Sequence, residues 1–184
     1  MKYISGDLLN CAEADWIVHQ CNCLTVRAHG LAQAIFAKYS NADCYSQRKA
    51  IGQRNLAIEA NRAVPGTIEI IDDKVVNMFA QWRPGSTTLK WFSTYPEFTG
   101  ENETIEARQK WFQQCLDSLS LSAQGRKLTI AFPFRIGCGL AGGDWDRYSA
   151  MIAAFEEKNK ENATVLIVVC KTDEKEAGKR KREE

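Results

Sequence analysis

The sequence predicts an α/β protein built on one largely parallel sheet. Strand-like runs alternate with helix-like stretches along the chain. The late strand candidates are apolar throughout, as strands covered on both faces are. A length of 184 residues with 45% apolar side chains suits one domain whose core needs no disulfide or metal.

The elements follow in order. Lys2–Ile4 is a short strand candidate, and Trp16–Cys21 a stronger one, rich in apolar and β-branched residues. Gly30–Tyr39 has Leu31, Ile35 and Tyr39 on one helical face, and a second helical stretch is expected near Asp43–Ile51. Pro65-Gly66 marks a turn. Thr67–Ile71 and Lys74–Gln81 read as strands joined at Asp72-Asp73. Trp82–Gly100, with its prolines, glycines and aromatics, reads as a long surface loop. Glu101–Gln124 is an amphipathic helix whose Ile105, Trp111, Phe112, Cys115, Leu116 and Leu119 fall largely on one face. Lys127–Phe134 is a strand, Asp144–Lys158 a helix, and Ala163–Cys170 the last strand.

Charge narrows the function classes. With 24 basic and 23 acidic side chains the net charge is +1, which excludes a broadly basic nucleic-acid binder and a charge-driven disordered chain. No apolar run approaches the ~18–20 residues of a membrane span, and no apolar signal stretch follows Met1-Lys2. The seven cysteines are odd in number and scattered, unlike a secreted disulfide framework; they read as free thiols packed as small apolar groups. Cys21 and Cys23 have no second pair, and only two histidines exist, so no metal site and no cofactor are expected. A cytoplasmic monomer without membrane association is the expectation. Residues 171–184 read as a polar, disordered tail, and its basic run Lys179–Arg182 would suit nuclear import in a eukaryotic host.

Three segments carry candidate chemistry. Ile136-Gly-Cys-Gly-Leu-Ala-Gly-Gly-Asp-Trp145 packs four glycines into seven residues between a strand and a helix. Glycines let backbone N–H groups converge on an anion, and Asp144 fits the cap of the following helix. The spacing matches neither the phosphate-loop pattern nor the dinucleotide fingerprint, so an ATPase and a Rossmann dehydrogenase are excluded. His19-Gln-Cys-Asn-Cys follows a strand and leads through His29 into the helix at Gly30. Strict alternation sends His19 and Cys21 to one sheet face, and Gln20 and Asn22 to the other. His19 reads equally as a core imidazole or a functional one. The third segment is Ser5-Gly6-Asp7-Leu8, a turn after the first strand.

Together these segments resemble the macrodomain family, the ADP-ribose-binding module. Gly6-Asp7-Leu8, His19-Gln-Cys-Asn-Cys with Gly30-Leu-Ala, and Ile136-Gly-Cys-Gly-Leu stand in family order and spacing across residues 2 to 170. The chain is similar to the yeast-type ADP-ribose 1″-phosphate phosphatases, the terminal ADP-ribose glycohydrolases and phage-encoded macrodomains. The resemblance implies a three-layer α/β/α macrodomain over residues 1–170, with a mixed, largely parallel central sheet. It implies that Asp7 and the Leu8 backbone hold adenine and that Asn22 lies near the distal ribose. It implies that Gly30 and Leu31 belong to the first diphosphate loop. Ile136, Gly137, Cys138, Gly139 and Leu140 would form the second. It gives His19 a phosphatase role; His29 and Asp144 are further catalytic candidates, the latter for orienting a water. Phe79 or Phe134 would flank adenine or ribose.

The sequence departs from the family at three places. Ala28-His29 stands where the first loop has consecutive glycines, and Ala141 where the glycohydrolases have an aspartate. Their catalytic lysine falls nearest Gln81, with Lys90 a substitute on the loop. The expected function is therefore binding of ADP-ribose with phosphatase action on ADP-ribose 1″-phosphate. The alternatives are an ADP-ribosyl glycohydrolase acting on modified protein or nucleic acid, and a non-catalytic reader.

Overall fold

The computed structural model describes residues 1–88 and 103–171. Most of the loop after Gln81, with Lys90, and the tail beyond Lys171, with its basic run, lie outside the described residues.

The strands are β1 (Lys2–Ser5), β2 (Trp16–Asn22), β3 (Ile68–Ile71), β4 (Val75–Gln81), β5 (Leu128–Pro133) and β6 (Ala163–Val169). The helices are α1 (Gly30–Lys38), α2 (Ile105–Ala123) and α3 (Trp145–Lys158). The strands form one sheet in the order β1-β6-β5-β2-β4-β3. Only the β3–β4 pair is antiparallel. That hairpin turns at Asp72 (φ 51°) and Asp73 (φ 49°), two consecutive left-handed residues, the geometry that matches strand twist.

Alternation along β2 and β4 explains the layers. Trp16, Val18, Val76 and Met78 face α2 and α3, in a core with Phe112, Leu119, Tyr148 and Ile152. Ile17, Cys21, Val75 and Phe79 face α1, with Ala32, Ile35 and Phe36. Helices on both faces give the three-layer α/β/α arrangement with a mixed, largely parallel sheet. No helix among the described residues is long and apolar enough to cross a membrane.

The structure corrects one element. Residues 43–51 form turns rather than a helix. Asp43 Oδ1 accepts from the amides of Tyr45 and Ser46, and Ala50 forms an isolated bridge with Ala57, so a side chain and a local bridge take the place of helical pairing. All seven cysteines are free thiols, four of them buried. Burial pushes the thiols of Cys115 and Cys138 up to about 12.

Candidate functional site

Parallel strands gather their carboxyl ends on one edge, and ligands bind there, where neighbouring strands send their connections in opposite directions. The chain leaves β5 through the glycine loop toward α3, and leaves the adjacent β2 toward α1. A cavity of about 540 Å³ opens between them. Its walls are Asn22, Thr25, Arg27 and His29 with the start of α1, then Phe134, Arg135 and the glycine loop, with Gln20 and Gln81 from the strand ends. Tyr45, Asn55, Pro84 and Gly85 complete it.

The glycine loop holds itself in shape. Gly143 N–H donates to the Gly137 carbonyl at 2.9 Å, and Gly142 N–H to the Gly139 carbonyl at 3.0 Å. Gly137 needs its missing side chain: its φ is +70°, and a Cβ there would stand 3.0 Å from the Tyr148 ring. A Cβ on Gly143 would stand 2.7 Å from the Gly137 carbonyl. Among the described residues, the amides of Gly137, Gly139, Leu140 and Ala141 have no protein acceptor. Four donors without partners on one loop, in a cavity that Arg27, His29 and Arg135 also line, are the kind of arrangement that can take an anion. No carboxylate lies among the described residues lining the cavity.

Two buried charges fasten this wall, and neither was singled out in the sequence. Glu103 and Arg108 pair at 2.7 Å, the arginine only 2% exposed. Arg108 donates to the Ala141 carbonyl at 2.7 Å and to the Arg83 carbonyl at 3.2 Å. Glu103 accepts from the amides of Trp82 at 2.8 Å and Arg83 at 3.3 Å. The pair thus ties the chain leaving β4 to the glycine loop. Arginine at a helical position reads as a solvated charge until the fold shows what covers it.

The opposite wall is fastened too. Arg48 lies against the Tyr45 and Phe79 rings and donates to the carbonyls of Asn22 and Thr25. Asn22 lines the cavity at 5% exposure, but its carboxamide works on its own turn. Its Oδ1 accepts from the amides of Leu24 and Thr25, and its Nδ2 donates to Thr25 and Tyr45. The extra residue of the register shift lies on β4, where Gln20 to Asn22 faces Met78 to Gln81, and the Tyr45 hydroxyl accepts from both the Asn22 amide and its Nδ2.

The remaining sequence candidates separate. His29, Gly30, Leu31, Ile136, Gly137, Gly139 and Leu140 line the cavity, whereas Cys138 does not. His19 is fully buried and outside the lining. It hydrogen-bonds Asn77 at 2.6 Å and lies edge-on to Phe36. Burial, opposed by that bond, lowers its pKa to about 4, so the imidazole is neutral at physiological pH. Strand alternation thus points His19 into the α1-side core, away from the cavity. Asp144 is the cap of α3: its Oδ1 accepts from the amides of Asp146 and Arg147, and it is also outside the lining. Asp7 lines a separate depression of about 320 Å³ beside Ser5, Asn10 and Val168. There it caps the turn Leu8–Asn10, accepting from Leu9 N–H and Asn10 Nδ2. Leu8 is buried in the α1-side core. Phe134 lines the main cavity and packs edge-on to Tyr3 and Trp145, whereas Phe79 lies in the core. Gln81 accepts from Gln20 Nε2 at 2.5 Å, so the end of the middle strand carries an amide pair and no amine. Among the described residues, no group of three His, Cys, Asp or Glu side chains is placed to hold a metal ion.

Solved structures identify the architecture. The macrodomain of Mycobacterium tuberculosis DarG matches with a TM-score of 0.62 at 16% identity, over 91% of this chain and 95% of that one. A Trypanosoma brucei macrodomain solved with ADP-ribose matches at 0.54 and 13% identity, over 91% of this chain and 62% of that one. An Oceanobacillus iheyensis macrodomain solved with ADP matches at 0.54 and 13%, over 93% and 84%. At these identities the likeness is one of fold, and the fold is that of a macrodomain. No protein-family model and no curated protein sequence matches the chain.

Proposed function

We propose that the protein binds ADP-ribose in the cavity between β2 and β5 and removes the phosphate from ADP-ribose 1″-phosphate. The observation that carries the binding is the set of unpartnered amides on Gly137, Gly139, Leu140 and Ala141, which suits a diphosphate. A volume of about 540 Å³ suits a nucleotide-sized ligand. The macrodomain fold, with neighbours solved holding ADP-ribose and ADP, supports the same ligand.

Turnover rests on His29. It is the cavity's imidazole, beside Arg27 and Arg135, and a monoester phosphate adds negative charge that those cations offset. Water adds to phosphorus, the bond from phosphorus to the 1″ oxygen breaks, and His29 protonates that oxygen, leaving ADP-ribose and inorganic phosphate. A second reading, a reader without turnover, is favoured by one observation: no carboxylate among the described lining residues is placed to activate the water.

The test is a titration calorimetry run on ADP-ribose beside a phosphate-release assay on ADP-ribose 1″-phosphate. Binding with release that disappears in His29→Ala and persists in His19→Gln supports the phosphatase. Binding without release moves the protein to the reader class, and release of free ADP-ribose from a modified protein or nucleic acid would make it a glycohydrolase. No heat with ADP-ribose overturns the ligand.

A further inference from the structure

The loop between β2 and α1 has no glycine before Gly30, so it cannot offer the flexible amides that the glycine loop offers opposite. Side chains shape it instead: Asn22 and Arg48 hold its first half, and Asn55 holds the half nearer α1. Asn55 Oδ1 accepts from the amides of Val26 at 3.0 Å and Arg27 at 2.8 Å. Two N–H donors on one carboxamide atom settle which atom is oxygen. Asn55 itself lines the cavity. Its Nδ2 has no protein acceptor among the described residues.

The segment that presents Asn55 is a buttress. Ile51 N–H donates to the Leu56 carbonyl at 2.8 Å, and Gly52, with φ +58°, makes that turn possible. Ala57 N–H donates to the Leu24 carbonyl at 2.8 Å, and Leu24 and Leu56 pack together in the interior against Ile51 and Trp82. The same segment anchors the cation at the rim: Arg27 Nη2 donates to the Gln53 carbonyl at 3.2 Å.

We propose that Asn55 serves the site twice, its oxygen holding the Val26–Arg27 backbone and its amino group donating to an anionic oxygen of the bound ligand. The donor half rests on the ADP-ribose reading above. A planar carboxamide spent on one side by two backbone amides keeps two hydrogens on the other. In a cavity wall poor in glycine, that amino group replaces backbone donors that the loop lacks. Arg27, tied to the neighbouring carbonyl, sets positive charge beside it.

Two substitutions separate the halves. Asn55→Ala removes both functions. Asn55→Asp keeps an oxygen for the two amides and replaces the donor with a negative charge. Amide hydrogen exchange at Val26 and Arg27 is expected to accelerate about tenfold in Asn55→Ala and to stay near wild type in Asn55→Asp. ADP-ribose affinity, read by calorimetry, is expected to fall roughly tenfold or more in both, and further in the aspartate variant. Wild-type affinity in Asn55→Asp overturns the donor role. Unchanged exchange in Asn55→Ala overturns the positioning role. If the wild-type protein gives no heat with ADP-ribose, the ligand reading and the donor role fall together, while the exchange arm still decides the positioning role.

Discussion

Replacing Arg108 with methionine removes the cation that fastens the glycine loop to the chain leaving β4. The side chain is 2% exposed and makes three polar contacts, to Glu103, the Ala141 carbonyl and the Arg83 carbonyl. Breaking a buried ion pair from one side costs about 3–5 kcal/mol, because the partner is left charged and without water. Glu103 keeps the amides of Trp82 and Arg83, and the Arg83 Nε at 3.1 Å, so the lower part of that range applies. The two carbonyls that lose their donor add roughly 1 kcal/mol each if water does not reach them. A loss of about 5 kcal/mol, at roughly 2–4 °C per kcal/mol for a chain of this size, lowers Tm by roughly 10–20 °C. Thermal and urea unfolding read it directly. The double variant Glu103→Gln with Arg108→Met removes both charges of the buried pair and leaves the partly exposed Arg83 cation facing a carboxamide, whose oxygen still serves the Trp82 amide. It is expected to recover at least half of the loss. A single-variant cost below about 1 kcal/mol, or a double variant that merely sums the two single costs, would refute the reasoning.

Three further outcomes follow from the same geometry. The folded-state pKa of His19 is lowered from 6.5 to about 4, so the unfolded chain binds more protons between those values. Its contribution is complete above about pH 6.5 and is lost as pH falls toward 4, by about 3 kcal/mol at most; His19→Gln should flatten that part of the stability–pH curve relative to wild type. Gly137→Ala puts a side chain at φ +70° and 3.0 Å from the Tyr148 ring, so it is expected to cost about 2 kcal/mol and to weaken ADP-ribose binding. Equal stability and affinity in that variant would remove the glycine loop from the site. Asp144→Ala removes the cap of α3 and should cost about 1 kcal/mol while phosphate release is unchanged. A lost rate without lost stability would return Asp144 to the chemistry.

The order and type of the regular elements were legible because they are local properties. The period of apolar residues in α2 and the continuous apolar run of β6 are written in neighbouring positions. The glycine loop was legible for the same reason, and so was the cap at Asp144, one residue before α3. The segment at 43–51 was misread because helical spacing there is real but unused. Asp43 and the Ala50–Ala57 bridge capture its backbone, and the resulting turns bring Tyr45 and Arg48 against the exit of β2. The settings of His19 and Asn22 were not legible, because a polar residue in an apolar strand looks functional until its partner is known. The partners, Asn77 and Tyr45, lie 58 and 23 residues away.

By itself, then, the sequence determined an α/β chain with a largely parallel sheet, its glycine loop between β5 and α3 and its shorter loop before α1. Periodicity, glycine placement and capping act within a few residues, so one strand of text records them. The tertiary structure alone decided which of the marked residues share a cavity. It sent His19 into the core and Asp7 to a separate depression. It joined Arg27 to Gln53 and Asn55, and hung the glycine loop on Arg108. Each of those meetings spans many residues of chain, and hydrogen bonds over such distances depend on strand order and register, which no local pattern specifies.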